Sequence, residues 1–394
     1  MTNDFEYYAP TKVVFGHEAE NRTAALIREF GGTKVLLHYG QQSAVKSGLI
    51  DKMRRILEEG QIPYVELGGV VPNPLLSKVY EGIGLCKKEQ VDFVLAVGGG
   101  SVIDSAKAIC YGMADERDVW ELFTKSRKAI GCMALGVVLT IAATGSETSN
   151  SCVITKDETR AKRSYNDNVA RPKFAVMDPE LTMSLPDYQT QSGCSDILMH
   201  TMERYFTNDG NMEITDRIAE GLLKTVMHHA KILHEDPENY DSRAEVMWAG
   251  SLSHTDLTGC GNKRGDFASH MLEHELGGMF DVAHGAGLTA VWGSWARYVY
   301  KNCLHRFVRF AEQVMDIPAG GTDEETALKG IEALEDFFRS VGMPVTLEEL
   351  GVQPTEEQLQ QMLDGCVQSS GGSKGSAMVL HRDDMEAIYR MAMR

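Results

Sequence analysis

The chain has 394 residues, of which 43% are hydrophobic, so it can bury a large core and is long for one domain. Its formal net charge of −17 disfavours nucleic acid and membrane surfaces as partners, because an acidic surface repels phosphate. No apolar run is long enough to span a bilayer, the first residues lack the basic and apolar regions typical of a secretory signal, and the eight cysteines form no C-x-x-C pair. We therefore expect a protein of the reducing cytoplasm.

The first half of the chain alternates strand-like apolar runs with helix-like amphipathic runs. The predicted strands are 34–38, 63–67, 91–97 and 132–139, and the predicted helices are 47–59, 75–88 and 102–112. Strands that alternate with helices form a mostly parallel sheet covered on both faces. The pattern predicts a Rossmann-like α/β domain over residues 1–186.

The strand pattern largely stops after residue 186, and long amphipathic stretches follow. The predicted helices are 189–206, 214–233, 241–257, 267–280, 304–315, 324–341 and 383–394. Apolar residues at helical spacing throughout this half predict an all-helical domain over residues 187–394.

A glycine-rich segment, Gly98-Gly-Gly-Ser101, lies between a predicted strand and a predicted helix. Glycine lets the backbone approach a pyrophosphate, and the free N–H groups of a helix N-terminus attract negative charge. Ser101 and Asp104 have the spacing of a capping box. The segment departs from the Rossmann G-x-G-x-x-G pattern at Ile103, so a turn that merely caps the helix explains these glycines equally well.

A second polar loop, from Thr140 to Glu147, follows the next predicted strand. Its hydroxyls suit a ligand at the carboxyl end of a parallel strand, where open α/β sheets bind ligands. Two such loops after consecutive strands favour a binding site over two ordinary turns.

Nine of the twelve histidines lie between His200 and His305. Asp196 and His200 are four residues apart, which places both on one face of a helix, and His284 follows in a predicted turn. Their apolar neighbours indicate burial, which is costly for such groups unless they are paired or bound to a metal. A hydrogen-bonded helix pair remains the commoner explanation of one Asp/His pair. We interpret His228, His229, His234, His254 and His305 as surface or satisfied core residues.

A competing motif overlaps this cluster, because His270-Met-Leu-Glu273-His274 matches the inverted zinc-peptidase pattern H-x-x-E-H. It would make His270 and His274 metal ligands and Glu273 the general base. The motif is short and leaves the glycine-rich segment unexplained, so a metallopeptidase is kept as a minor alternative.

Five segments of the chain are informative when they are taken together. They are Gly98-Gly-Gly-Ser-Val-Ile-Asp-Ser-Ala-Lys107, Ala143-Thr-Gly-Ser-Glu147, Arg171-Pro-Lys-Phe-Ala-Val-Met-Asp-Pro179, His270-Met-Leu-Glu-His-Glu-Leu276 and Asp281-Val-Ala-His-Gly285. Together they resemble the iron-containing (group III) alcohol dehydrogenases, and within that family the butanol dehydrogenase and broad-range aldehyde reductase branch. The resemblance runs along nearly the whole chain. It implies a dinucleotide-binding α/β domain and a helical metal-binding domain, in the architecture of dehydroquinate synthase.

The resemblance also implies site residues. The family's metal ligands correspond to Asp196, His200, His270 and His284, and its intervening histidine, near the substrate and the nicotinamide, corresponds to His274. We expect His274 to relay a proton, or alternatively only to orient a group by hydrogen bonding. The implied cofactor contacts are Gly40, Ser43, Lys46, Asn73, Gly99, Gly100, Ser101, Asp104, Thr140, Thr144, Ser149 and Lys162.

The expected activity is hydride transfer between a nicotinamide dinucleotide and a small aldehyde or primary alcohol, by a homodimer. NADP(H) is favoured over NAD(H), because residues 38–46 carry no acid and Ser43 and Lys46 could meet a 2'-phosphate. The donor set suits Fe²⁺, Zn²⁺ and their neighbours, and the family favours Fe²⁺. A dehydroquinate-synthase-like lyase stays open as an alternative, although it would need a Lys/Arg cluster that we cannot identify beside these ligands.

Overall fold

The computed structural model describes residues 3–41, 43–208, 210 and 212–394, and of Ser43 it describes only the backbone. The chain divides into two compact units. One is Tyr8–Leu185, and the other is Pro186–Arg394 together with the N-terminal segment through Tyr7. Asn3 anchors that segment to the second unit, since its backbone and side-chain N–H groups both donate to the carbonyl of Gly261 at 3.2 Å.

The first unit is built on a six-stranded sheet in which every neighbouring pair of strands is parallel. In spatial order the strands are β1 (Lys12–Phe15), β8 (Phe174–Met177), β5 (Ala134–Leu139), β4 (Phe93–Gly98), β2 (Val35–Gly40) and β3 (Tyr64–Val70). Every residue of β4 is buried, as expected for a strand with both faces covered. The predicted α/β fold with a parallel sheet is confirmed.

Helices connect these strands, and a small hairpin completes the unit. The helices are α1 (Thr23–Glu29), α2 (Ser43–Lys46), α3 (Leu49–Glu59), α4 (Leu76–Glu89), α5 (Gly100–Ala114) and α6 (Trp120–Phe123), and the antiparallel hairpin strands are β6 (Ser151–Thr155) and β7 (Lys162–Asn166). The sequence patterns identified β2 to β5 but missed β1, β8 and the hairpin. The missed strands have only four or five residues, too few to show a clear period.

The second unit is helical. Its helices are α7 (Asp187–Tyr205), α8 (Glu213–Glu235), α9 (Tyr240–Ser253), α10 (Ala268–Phe280), α11 (His284–Val299), α12 (Leu304–Gln313), α13 (Asp323–Ser340), α14 (Glu356–Ser370) and α15 (Arg382–Ala392). The sequence patterns missed α11 and α14. Among the described residues, no helix is both long enough and apolar enough to cross a lipid bilayer.

The strands β5, β4, β2 and β3 lie side by side and run in one direction. The loops that follow them therefore emerge at one edge of the sheet. In open parallel sheets this carboxyl edge is where ligands bind.

Candidate functional site

The two polar loops predicted as a ligand site lie against each other at the carboxyl edge. The amide of Thr140 donates to the carbonyl of Gly98 at 3.2 Å. A Cβ atom on Gly99 would overlap Ile141, and one on Gly100 would overlap Thr144. These glycines are required by the close approach of the two loops, and they leave the N-terminus of α5 beside the hydroxyl of Thr144.

A buried polar network below these loops involves Asp104 and Lys107 of α5. Nζ of Lys107 donates to Oγ of Ser146 at 2.9 Å, and that hydroxyl donates to Oδ1 of Asp104 at 2.6 Å. Lys107 also donates to the carbonyls of Ser149 and Ser151, at 3.0 and 2.7 Å. Burial raises the pKa of Asp104 and lowers that of Lys107. The network ties the loop after β5 to α5.

The predicted capping box of Ser101 and Asp104 is wrong. Gly99 is the N-cap residue of α5, and no side chain caps this end of the helix. Asp104 lies more than one turn inside the helix, and its second carboxylate oxygen accepts the backbone N–H of Val153 at 3.0 Å. The sequence pattern could not show that the helix begins one residue before Ser101.

The other predicted cofactor contacts lie on neighbouring loops of the same unit. Gly40 ends β2, where it pairs with Val70, and the exposed Lys46 ends α2. The loop that contains Asn73 adjoins the hairpin, because Pro74 accepts the N–H of Thr155 at 2.9 Å. Lys162 lies opposite Thr155 in the hairpin, and the buried Ser149 lies two residues after the polar loop. The side chain of Ser43 is outside the described part of the chain.

The helical unit brings three predicted metal ligands around one oxygen, Oδ1 of Asp196. That oxygen lies 3.3 Å from Nδ1 of His200 and 3.7 Å from Nε2 of both His270 and His284. Asp196 and His200 are one turn apart on α7, and His270 comes from α10. His284 is the first residue of α11, so the predicted turn at this position is in fact a helix start.

Three atoms of this cluster are buried and lack a hydrogen-bond partner among the described residues: Oδ1 of Asp196, Nδ1 of His200 and Nε2 of His270. An unsatisfied buried polar atom costs about 1–3 kcal/mol, so three that converge are unexpected unless something else satisfies them. A divalent cation can accept all three as ligands. One carboxylate with imidazoles is a donor set that Fe²⁺ and Zn²⁺ accept. The residues therefore fit a metal ion.

Two buried glutamates orient the imidazoles. Nδ1 of His270 faces Oε1 of Glu203 at 3.0 Å, and Nδ1 of His284 is hydrogen-bonded to Oε2 of Glu273. In each ring this leaves Nε2 directed toward Asp196, the arrangement in which carboxylates support metal-binding histidines. Gly287 makes room for the second contact, since a Cβ atom there would lie 2.9 Å from Cγ of Glu273.

The electrostatics of the cluster favour added positive charge. Burial opposes protonation of His270, but the carboxylates of Asp196 and Glu203 outweigh it and raise the pKa of His270 to about 9. Burial, together with the neighbouring imidazoles of His254 and His270, keeps the pKa of His200 well below its ordinary value. His200 is therefore neutral and can offer a nitrogen lone pair to a metal. At His270 the neighbouring carboxylates instead stabilise positive charge.

The H-x-x-E-H alternative predicts that Glu273 is free to activate water, but Glu273 is fully buried and bonded to His284. His274 is half-buried, and its ring centroid is 5.8 Å from that of His284. Sequence reasoning missed the orienting role of Glu203, although its position three residues after His200 on a buried helix was a usable signal. It also set His254 aside, whereas the structure places its ring centroid 4.1 Å from that of His200.

Both units match models of known protein families. The family model described as iron-containing alcohol dehydrogenase matches residues 10–179, and that of the Fe-containing alcohol dehydrogenase C-terminal region matches residues 190–393. The chain is 39% identical to the probable NADH-dependent butanol dehydrogenase 2 of Bacillus subtilis, over 99% of this chain and 100% of the relative. It is 34% identical to the NADPH-dependent aldehyde reductase YqhD of Escherichia coli, over 89% of this chain and 90% of that protein.

A solved structure gives the same result. The crystal structure of NADH-dependent butanol dehydrogenase A from Thermotoga maritima superposes with a TM-score of 0.95 at 37% identity, covering 100% of this chain and 99% of that one. The chain belongs to the iron-containing alcohol dehydrogenase family.

Proposed function

We propose that this chain is a metal-dependent alcohol dehydrogenase and aldehyde reductase that acts on small aldehydes and primary alcohols, with Fe²⁺ as the metal and NADPH favoured as the cofactor. Its class is established by the family: it is an NAD(P)H-dependent oxidoreductase that interconverts alcohols and aldehydes. The observation that supports metal dependence is the convergence of three unsatisfied buried atoms, Oδ1 of Asp196, Nδ1 of His200 and Nε2 of His270.

Asp196, His200, His270 and His284 would hold the metal. When bound, the metal supplies Lewis acidity toward the substrate oxygen, and the reduced nicotinamide supplies the hydride. Asp196 contributes the one anionic ligand, and the imidazoles contribute nitrogen lone pairs, that of His270 after it has released its proton. Glu203 and Glu273 keep two of the rings turned toward Asp196, so that the ligand geometry exists before the ion arrives.

For the dinucleotide we propose the predicted contacts, with Gly99, Gly100, Ser101, Thr140 and Thr144 facing the phosphates and the nearby sugar. For Asp104 we propose an indirect, positioning role, because its carboxylate is bonded to Ser146 and Val153. Lys46, which is exposed, supports a 2'-phosphate and hence NADPH. The relatives are named as NADH-dependent in one case and NADPH-dependent in another, so the cofactor preference of this chain has to be measured.

We propose that His274 moves a proton to or from the substrate oxygen. An imidazole titrates near neutral pH, and this ring is half-buried beside His284 but outside the converging atoms. A homodimer in the cytoplasm remains our expectation. The eight free thiols agree with a reducing compartment.

The test is a coupled measurement of metal content and reduction of butanal by NADPH or NADH, followed by the absorbance of the reduced nicotinamide. Metal-stripped protein should be inactive and should recover with Fe²⁺. Asp196→Asn should lose bound metal and turnover together, because it removes the anionic ligand. Glu220→Gln, which changes a buried carboxylate on α8, is the matched control and should retain both.

Two outcomes oppose the proposal. If stripped protein reduces butanal as fast as loaded protein, the metal has no part in the reaction. If no aldehyde is reduced with either dinucleotide by protein that retains its metal, the substrate class is wrong.

A further inference from the structure

A second group of acidic side chains lies in the α/β unit, where the chain leaves β1 and β8. These strands are parallel neighbours, with Phe15 opposite Met177, so the residues that follow them meet at the carboxyl edge of the sheet. Asp178 comes directly after β8. Its Oδ1 accepts the N–H of Glu180 at 3.0 Å, and its Oδ2 accepts the N–H of Glu18 at 2.7 Å.

Three side chains of this group can reach one ion. His17, Asp178 and Glu180 each offer a ligand atom, and these atoms all lie within 4.8 Å of one another. Nδ1 of His17 is 3.1 Å from Oε1 of Glu180. Asp178 is buried, whereas the side chains of His17 and Glu180 are 62% and 50% exposed, so an ion can enter from solvent.

Glu20 supplies an independent sign of a missing partner. It is buried, with 3% of its surface exposed, and its Oε2 has no hydrogen-bond partner among the described residues. Its other oxygen, Oε1, accepts a hydrogen bond from Lys52 at 2.5 Å. The Glu20 carboxylate contacts that of Asp178, and burial together with this contact raises the pKa of Asp178. Two carboxylates that touch in a buried place require a proton or a cation between them.

We propose that His17, Asp178 and Glu180 form a second divalent-cation site, with the Glu20 carboxylate beside Asp178, separate from the metal cluster of the helical unit. Two carboxylates and one imidazole suit a borderline-hard ion such as Mn²⁺. The buried Asp178 forms the base of the site, and the exposed Glu180 and His17 close over the ion. The ion neutralises negative charge on these carboxylates, and so it stabilises the ends of β1 and β8.

The experiment counts bound Mn²⁺ on the full-length, metal-stripped protein, from the loss of the electron paramagnetic resonance signal of the free ion. Wild type should bind two equivalents per chain. The double variant His17→Ala/Glu180→Gln should lose the second equivalent, or bind it at least about 10-fold more weakly, because two of the three ligands are gone. Both residues are exposed, so the variant should fold.

Two controls separate this site from the other cluster and from general charge effects. Asp196→Asn should still bind the Mn²⁺ equivalent that His17→Ala/Glu180→Gln loses, even if the proposed catalytic metal is absent. Glu89→Gln, which removes one half-buried carboxylate elsewhere in the same unit, should change neither equivalent.

Three results overturn the proposal. One is a single equivalent bound to wild type that Asp196→Asn abolishes. Another is a second equivalent that survives unchanged in His17→Ala/Glu180→Gln. The third is Glu20→Gln with a raised unfolding temperature and unaltered Mn²⁺ binding, since a proton shared between Glu20 and Asp178 would then explain the contact.

Discussion

Glu203 holds His270 through two contacts with one oxygen: Oε1 accepts the backbone N–H of His270 at 3.0 Å and faces its Nδ1 at 3.0 Å. The ring cannot rotate without breaking the second contact, so Nε2 stays directed at Asp196. The orientation of the His270 ring is thus fixed by Glu203, which is not one of the proposed metal ligands.

Glu203→Gln should weaken metal binding by about 10- to 100-fold, because the amide is a poorer acceptor and leaves the imidazole less basic. The measurement is competition for the metal against a chelator of known affinity. Glu220→Gln changes a buried carboxylate in the same unit and should leave the affinity unchanged. Equal affinities for wild type and Glu203→Gln would show that the contact has no role in holding the metal.

His274→Gln should lower kcat by about 10²- to 10⁴-fold while the metal content stays at the wild-type level, because a proton relay is lost and no ligand is removed. The pH profile of kcat should lose the limb that reports the imidazole. His228→Gln, at an exposed histidine on α8, is the control. Loss of metal along with activity would instead make His274 part of the metal site.

Lys107→Met should destabilise the α/β unit by roughly 3–5 kcal/mol, because it leaves the buried Asp104 carboxylate without its compensating charge. It should also raise the KM for the dinucleotide, since the loop from Thr140 to Ser149 loses its bonds to Nζ. Adding Asp104→Asn should recover part of the stability. Urea unfolding measures the loss of stability, and steady-state kinetics measure the KM for the dinucleotide. An unchanged KM would show that the Asp104–Lys107 network has no role in cofactor binding.

His38 makes the α/β unit sensitive to acid. It is fully buried, with Nδ1 2.8 Å from the carbonyl of Leu67 and Nε2 2.9 Å from Oγ of Ser105, and burial lowers its pKa from 6.5 to about 4. The unfolded chain therefore takes up the proton first as pH falls. The stability that the folded protein gains from keeping His38 neutral is complete well above pH 6.5 and decreases as pH falls toward about 4.

Between pH 7.5 and 5 the free energy of unfolding should fall by about 2 kcal/mol on account of His38. His38→Gln should remove this part of the pH dependence, whatever its effect on stability at pH 7.5. His228→Gln should preserve it. A pH dependence that is identical in wild type and His38→Gln would mean that His38 is not the responsible group.

Lys46→Ala should reduce kcat/KM for NADPH by about 10- to 100-fold and change that for NADH little, because only the former carries the 2'-phosphate. Lys34→Ala, at a lysine that pairs with Glu89, is the control. An equal loss of kcat/KM with both dinucleotides would show that Lys46 does not discriminate between NADPH and NADH.

The sequence predicted what periodicity and motif spacing can express. The strands β2 to β5 were visible because each is a continuous apolar run, and Asp196 and His200 because four residues span one turn. The start of α5 was not visible, because any of three successive glycines can cap a helix. The roles of Glu203 and Glu273 depend on helices packing from distant parts of the chain, which no local pattern records. The Glu20–Asp178 contact joins residues 158 positions apart through strand pairing.

The hydrogen bonds between Asn3 and Gly261 also bear on the order in which parts of the protein can reach their final positions during synthesis. All six strands of the sheet have left the ribosome once Leu185 has emerged, so the α/β unit can fold while the helical unit is still being made. Asn3 precedes the whole α/β unit in the sequence, but its hydrogen bonds to Gly261 can form only after Gly261 has been synthesised. The hydrogen bonds of Asn3 to the helical unit are therefore formed after the α/β unit can already have folded.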